Sequence, residues 1–147
     1  MRRVRLLITW LWIALALAPL GGCAASGSGL NKTRWKLTEW TLSSLNPADF
    51  TITAEFADGR ISGKSGVNSY SGTCKLGPGR AFSGAQVAGT QMAGPEPAMR
   101  AESAYLTLLG QARAYGVTGA RLTFYDEGGN VSLVFEAMSA EGEGGHA

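Results

Sequence analysis

The chain has 147 residues, a net charge of +2, 45% apolar side chains, 21 glycines, two cysteines and one histidine. Its apolar share belongs to a folded chain, and its length suits one domain around one core, which excludes a disordered tether or a multidomain enzyme. The lone histidine, His146, lies in a Glu- and Gly-rich terminal stretch, so imidazole-based metal ligation and general-base catalysis are not expected in the folded part.

Arg2, Arg3 and Arg5 precede an apolar run from Leu6 to Leu20. A spanning helix needs about 20 apolar residues and a secretory core about 7 to 15, so this run reads as an export signal. Leu20, Gly21, Gly22 and Cys23 close it with small residues directly before a cysteine, the layout of a bacterial lipoprotein signal. Residues 1–22 are then a leader, and Cys23 is the lipidation site and mature N-terminus. Ala24 in place of Asp implies an outer-membrane lipoprotein facing the periplasm in a Gram-negative cell. Setting the three export arginines aside leaves ten basic against eleven acidic side chains. Neither a basic footprint for nucleic acid nor a run of cations for anionic lipid is present in the sequence.

Residues 23–30 form a lipidated N-terminus and tether of small residues, Ala24 to Gly29. At about 3.3 to 3.6 Å per residue, the tether holds the fold within roughly 25 Å of the lipid surface. A domain is expected over residues 31–137. Trp35, Leu37 and Glu39 to Leu42 begin an extended segment, and Phe50, Ile52, Ala54 and Phe56 alternate with polar residues at period two, as a half-buried strand requires. Asp58 and Gly59 supply a hairpin turn, Arg60 to Lys64 pairs back, and Ser69 to Leu76 continues the sheet. Phe82 to Thr90 is a weaker strand.

Pro95, Glu96 and Pro97 open a helix that carries Met99, Glu102, Leu106, Leu109 and Arg113 on one side with Ala98, Tyr105 and Ala112. Gly110 weakens it and Gly116 ends it. Leu122 to Tyr125 and Val131 to Phe135 then flank a five-residue loop as a last hairpin. The fold class is α+β: a curved antiparallel sheet or partial β-barrel closed by one α-helix. Residues 138–147 read as a disordered tail.

Four arrangements resemble functional motifs. Gly59 to Ser65 has the flavour of a phosphate-binding loop, but the spacing is one residue short and Gly66 and Asn68 follow where a helix should start. A nucleophile elbow at Ser65 fails because Val67 stands where the second glycine belongs. A dyad of Ser65 with Lys64 is opposed by geometry, since adjacent strand residues face opposite ways. Asp126 and Glu127 on a glycine-rich hairpin tip read as a solvated turn. No catalytic residue, metal ligand or cofactor is expected, and neither is a nucleotide or nucleic-acid partner.

Trp35 and Leu37, the run Phe56-Ala-Asp-Gly-Arg-Ile-Ser-Gly63 and the run Ser65-Gly-Val-Asn-Ser-Tyr-Ser-Gly72 resemble the META domain of HslJ-like heat-shock lipoproteins. Thr90 to Ala93, then Pro97, Ala98, Met99, Glu102, Tyr105, Leu106 and Leu109, and finally Leu122 to Phe124, follow the same pattern. The resemblance spans nearly all of residues 30–137 and implies a non-enzymatic, monomeric envelope protein linked to stress, drug tolerance or secretion through binding of an envelope component.

The family often has cysteine where this chain has Val67 and Gly94, which implies the loss of both halves of a disulfide. Cys74 is left without an intramolecular partner and is expected to be a small buried filler. Gly63, Gly66, Gly72, Asn68, Ser69 and Tyr70 form the candidate signature. The glycines suit bulges and positive φ where a small sheet bends, and Asn68 suits bonding to its own turn. A ligand-contacting role for Asn68, Ser69 and Tyr70 is the functional counterpart. An inhibitor of a secreted hydrolase such as a protease or lysozyme, inserting a rigid Gly63 to Gly72 loop, is the second functional reading.

Overall fold

Alternation at period two builds most of the sheet. In β1 (Thr33–Trp40) Trp35 and Leu37 are buried while Arg34 and Lys36 are exposed, and β2 (Thr53–Ala57) buries Ala54 and Phe56 while exposing Glu55. The computed structural model describes residues 29–84 and 86–139. The leader, Cys23, most of the tether and His146 lie outside the described residues.

Asp58 and Gly59 both adopt positive φ (51° and 74°), turning β2 into β3 (Arg60–Lys64), which pairs with β4 (Ser69–Leu76). The segment expected as one weak strand divides into β5 (Phe82–Gly84) and β6 (Ala88–Gly89), both paired with β4. After the helix α1 (Glu96–Gln111) come β7 (Ala114–Thr118), β8 (Arg121–Tyr125) and β9 (Val131–Ala137). The antiparallel order is β5-β4-β3-β2-β1-β9-β8-β7, so first and last strands meet at the centre of the sheet. A bridge between Ala81 and Ala114, with Phe82 N–H donating to Arg113 C=O at 2.8 Å, draws the two ends together into a nearly closed barrel. The expected α+β partial barrel with one α-helix is what the described residues form.

Two local expectations are corrected. The helix ends at Gln111, and Ala112 is already extended (φ −63°, ψ 135°), so Gly116 does not terminate it but lies inside β7. A glycine inside a five-residue strand mimics a helix stop. The buried face of α1 is also rotated from the expected one. Ala101, Tyr105, Leu108 and Leu109 are buried, while Met99 is 37% exposed. Helical periodicity alone cannot distinguish adjacent apolar stripes when both carry leucine.

The core is aromatic. Phe124 of β8 meets Phe82 edge-on at 4.7 Å, Phe135 at 5.8 Å and Phe56 at 6.3 Å, joining both halves of the barrel through one ring. Tyr105 brings α1 onto this cluster through Phe135 at 6.3 Å. Its hydroxyl lies 2.6 Å from that of Tyr70, which in turn donates to Thr53 C=O at 2.9 Å. Because the carbonyl can only accept, Tyr70 gives its proton to Thr53 and Tyr105 donates to Tyr70. Burial raises both phenol pKa values well above the ordinary range, so the pair stays neutral.

Val67 and Gly94, the positions at which the resemblance implies a lost pair of cysteines, are in contact. A Cβ placed on Gly94 would lie 3.4 Å from Val67 Cβ and only 2.7 Å from its Cγ2. The valine methyls therefore fill the volume that a cross-link would occupy, and the two changes are mutually dependent. Val67→Cys with Gly94→Cys is expected to oxidise to a disulfide and gain about 3.5 kcal/mol from closing its loop. Gly94→Cys alone, pressed against Val67, is expected to destabilise by about 1–3 kcal/mol. Chemical denaturation of both variants, with and without reductant, checks the opposite signs.

Candidate functional site

The signature residues converge on the turn between β3 and β4, and that turn lies against α1. Gly66 has φ +123°, and a Cβ there would come within 3.1 Å of Ala98 C=O, so glycine is required by both conformation and contact. Ser65 N–H donates to Asn68 C=O at 2.9 Å and closes the turn. Ser65 is fully buried and Asn68 is 4% exposed.

Glu102 of α1 reaches into this turn. Its Oε2 accepts from Ser65 Oγ at 2.7 Å, Asn68 N–H at 2.8 Å and Val67 N–H at 3.3 Å, and its Oε1 accepts from Asn68 Nδ2 at 2.8 Å. Partial burial pushes the carboxyl pKa up, but the bonds from Asn68, Ser65 and Val67 outweigh it and hold it below the ordinary glutamate value. Asn68 works in two directions. While Nδ2 donates to Glu102 and to Met92 C=O (3.2 Å), Oδ1 accepts from Met92 N–H and Thr90 Oγ1, both at 2.8 Å. Met92 N–H can only donate, which determines the amide orientation and satisfies both donors and both acceptors.

One asparagine thus bonds to the segment before α1 as a strand neighbour would, and ties it through Glu102 to the helix. This differs from the expected bonding of Asn68 to its own turn. The difference arises because Met92 and Thr90 are brought alongside by β6, more than twenty residues downstream.

The other signature positions have equally local partners. Ser69 N–H donates to Thr90 Oγ1 at 3.2 Å, and Ser69 Oγ accepts from Lys64 Nζ at 2.8 Å. Tyr70 is buried in the tyrosine pair. A Cβ on Gly63 would overlap Thr53 C=O at 2.1 Å, and one on Gly72 would sit 2.9 Å from Val87 Cγ1. Gly63 to Gly72 is therefore two paired strands and a buttressed turn rather than a projecting loop.

This geometry decides between the motif readings. The Val67 and Asn68 amides that a phosphate would need are occupied by the Glu102 carboxylate. Ser65 hydroxyl has a carboxylate neighbour, yet a carboxylate held below its ordinary pKa is a weak base for an alcohol. Lys64 is exposed on the opposite face, as strand alternation required. Asp126 caps its own loop by accepting from Asn130 N–H at 2.9 Å, and these bonds lower its pKa. Cys74 is buried and its thiol pKa is pushed up by that burial, in keeping with a packing role. Among the described residues no cluster of His, Cys, Asp and Glu suits a metal, and no buried side-chain nitrogen or oxygen lacks a partner.

Glu102 is the residue that motif reasoning passed over. Its signal was present as a carboxylate beyond the first turn of α1, facing the same way as Ala98 and Tyr105. Nothing near it in sequence names its partners, which lie about 35 residues upstream.

The family model described as META domain matches residues 28–139. Among solved structures, an NMR structure of a protein from Burkholderia xenovorans is similar at 28% identity and a TM-score of 0.64, over 75% of this chain and 84% of that one. A second NMR structure is 19% identical with a TM-score of 0.56, over 73% and 90% of the two chains. A crystal structure of a duf4847 family protein from Bacteroides vulgatus ATCC 8482 is 14% identical with a TM-score of 0.54, over 74% and 94%. The last two establish likeness of fold alone. No curated protein gives a match.

Because Glu102 has a depressed folded pKa, its stabilisation is fully present above the ordinary glutamate range and is lost as pH falls through the folded value. Stability is expected to decline as pH falls below the ordinary glutamate range, with Glu102→Gln flattening that part of the profile. At neutral pH, Glu102→Ala is expected to cost about 2–3 kcal/mol by stranding the Ser65 and Asn68 donors. Urea unfolding at several pH values measures both effects.

Proposed function

Since the chain belongs to the META domain family, we propose that it is a lipid-anchored protein of the bacterial cell envelope that acts by binding an envelope component rather than by catalysis. The observation that carries this reading is the order Arg2, Arg3, Arg5, an apolar run to Leu20, and Gly21-Gly22-Cys23, followed by a short tether and a folded domain. A signal of this kind places the thiol of Cys23 for acylation and leaves the domain within about 25 Å of the bilayer.

The binding character of the reading is supported by the use to which the polar signature is put. Asn68, Ser65 and Glu102 spend their hydrogen bonds on one another and on Met92 and Thr90, so they build a rigid frame instead of presenting reactive groups. The resemblance to HslJ-like heat-shock lipoproteins supports a stress-linked role, and Ala24 after the cysteine supports an outer-membrane address. The hydrolase-inhibitor reading requires a projecting segment between Gly63 and Gly72; the buttressed turn there gives it no support.

A Cys23→Ala variant is expected to leave the membrane fraction and to lose complementation of any deletion phenotype, while thermal unfolding of its domain is unchanged. Fractionation, complementation and melting of the same variant test these together. Full complementation by the unanchored protein would sink the reading.

A further inference from the structure

The near-neutral composition conceals a separation of charge that only the fold reveals. Strands β1 to β4 carry Arg34, Lys36, Arg60, Lys64 and Lys75 at exposed positions, against the carboxylates Glu39 and Glu55. Alternation places these side chains on the outer face, because Trp35, Leu37, Ala54, Phe56, Ile61, Tyr70 and Cys74 point into the core. Glu39 is already bonded to Arg121 of β8 at 2.9 Å, and Glu55 touches Arg34 only at 3.6 Å. Lys36 is in register with Glu136 at the margin of the face. Elsewhere the charges are mixed: on α1, Glu96 is paired with Arg100 and Glu102 is bonded inward, and the last hairpin carries Asp126 and Glu127 with Arg121.

This face contains a hollow of about 250 Å³ whose rim is Arg34, Thr53, Glu55, Lys64 and Met138, with Gly63 contributing no side chain. Lys64 spends one N–H on Ser69, leaving two of its three donors for a ligand. The Arg34 guanidinium has its planar fork of donors beside it, a shape suited to phosphate oxygens. The start of β1 lies on the same face. Leu30 is fully buried and Lys32 N–H bonds to Phe56 C=O, so the described chain begins beside β2, next to these cations.

We propose that the outer face of β1 to β4 docks on an anionic phospholipid surface, with a headgroup phosphate seated in the hollow between Arg34 and Lys64. The inference rests on the anchored reading for its geometry, since seven residues of tether span no more than about 25 Å and bring this face to the headgroups. Each cation at an anionic surface strengthens binding about fivefold, and a patch of them gives the anchored domain a preferred orientation. The last hairpin, with exposed Glu127 at its tip, is not part of the docking face.

The test uses the full chain in a Cys23→Ala background, co-sedimented with neutral phosphatidylcholine vesicles and with vesicles carrying about one third phosphatidylglycerol. Arg34→Gln, Lys36→Gln and Lys64→Gln together are expected to reduce the excess binding to anionic vesicles about a hundredfold, leaving binding to neutral vesicles and the melting temperature unchanged. Raising salt to about 0.5 M is expected to abolish that excess in the parent. Arg100→Gln with Arg113→Gln, which removes charge from α1 and the segment after it, is expected to leave the excess intact. Retention of the excess by the triple variant, or equal loss in the α1-side variant, would overturn the proposal. The anchor itself is read separately: native Cys23 protein that binds neutral vesicles no better than Cys23→Ala contradicts lipidation, while the difference between anionic and neutral vesicles still reports on the sheet face.

Discussion

Everything around the signature depends on one carboxylate. Glu102 collects Ser65 Oγ, Val67 N–H, Asn68 N–H and Asn68 Nδ2 on its two oxygens, with three of these bonds at 2.7 to 2.8 Å. Charge-assisted bonds of this length are about twice as strong as neutral ones, and here they link elements distant in sequence. The β3–β4 turn, the chain entering α1 and α1 itself become one unit. Among the described residues the other side-chain hydrogen bond from the helix to the sheet is that of Tyr105 with Tyr70, so this cluster and the tyrosine pair hold the helix over the open end of the barrel. The tyrosine pair reinforces it from within, passing a hydrogen bond from Tyr105 on α1 through Tyr70 on β4 to Thr53 on β2.

A polar unit of this kind stands at the junction where the resemblance to HslJ-like proteins implies a cross-link that this chain does not have. The disulfide positions sit at the same junction, with Val67 in the turn and Gly94 just before α1. Methyl groups filling the space and an asparagine bonded to both N–H and C=O of Met92 hold together what a covalent bond would have held. The stabilisation is then distributed and sensitive to the charge state of Glu102, whereas a disulfide is insensitive to pH over the same range.

Much of this architecture was legible in the sequence because its physics is local. Alternation in Thr33–Trp40 and Thr53–Ala57, the Asp58-Gly59 turn, the Pro-rich helix start and the last hairpin each depend on residues within a few positions of one another. What was not legible depends on long-range pairing. β7 was hidden because Gly116 resembles a helix stop, and β5 and β6 separate because each takes its own register on β4. The partners of Asn68 were hidden for the same reason. The cationic face went unread too, because Arg34, Lys36, Arg60, Lys64 and Lys75 are scattered over four strands and only sheet register gathers them.

The central claim is that Asn68 and Glu102 act as a single structural unit rather than as separate surface-facing polar groups. A double-mutant cycle of Asn68→Ala and Glu102→Gln, read by urea unfolding at neutral pH, tests it most directly. The account predicts a coupling energy of about 1.5 kcal/mol or more, with the double variant little less stable than the worse single one. Additive losses, with coupling near zero, would contradict it.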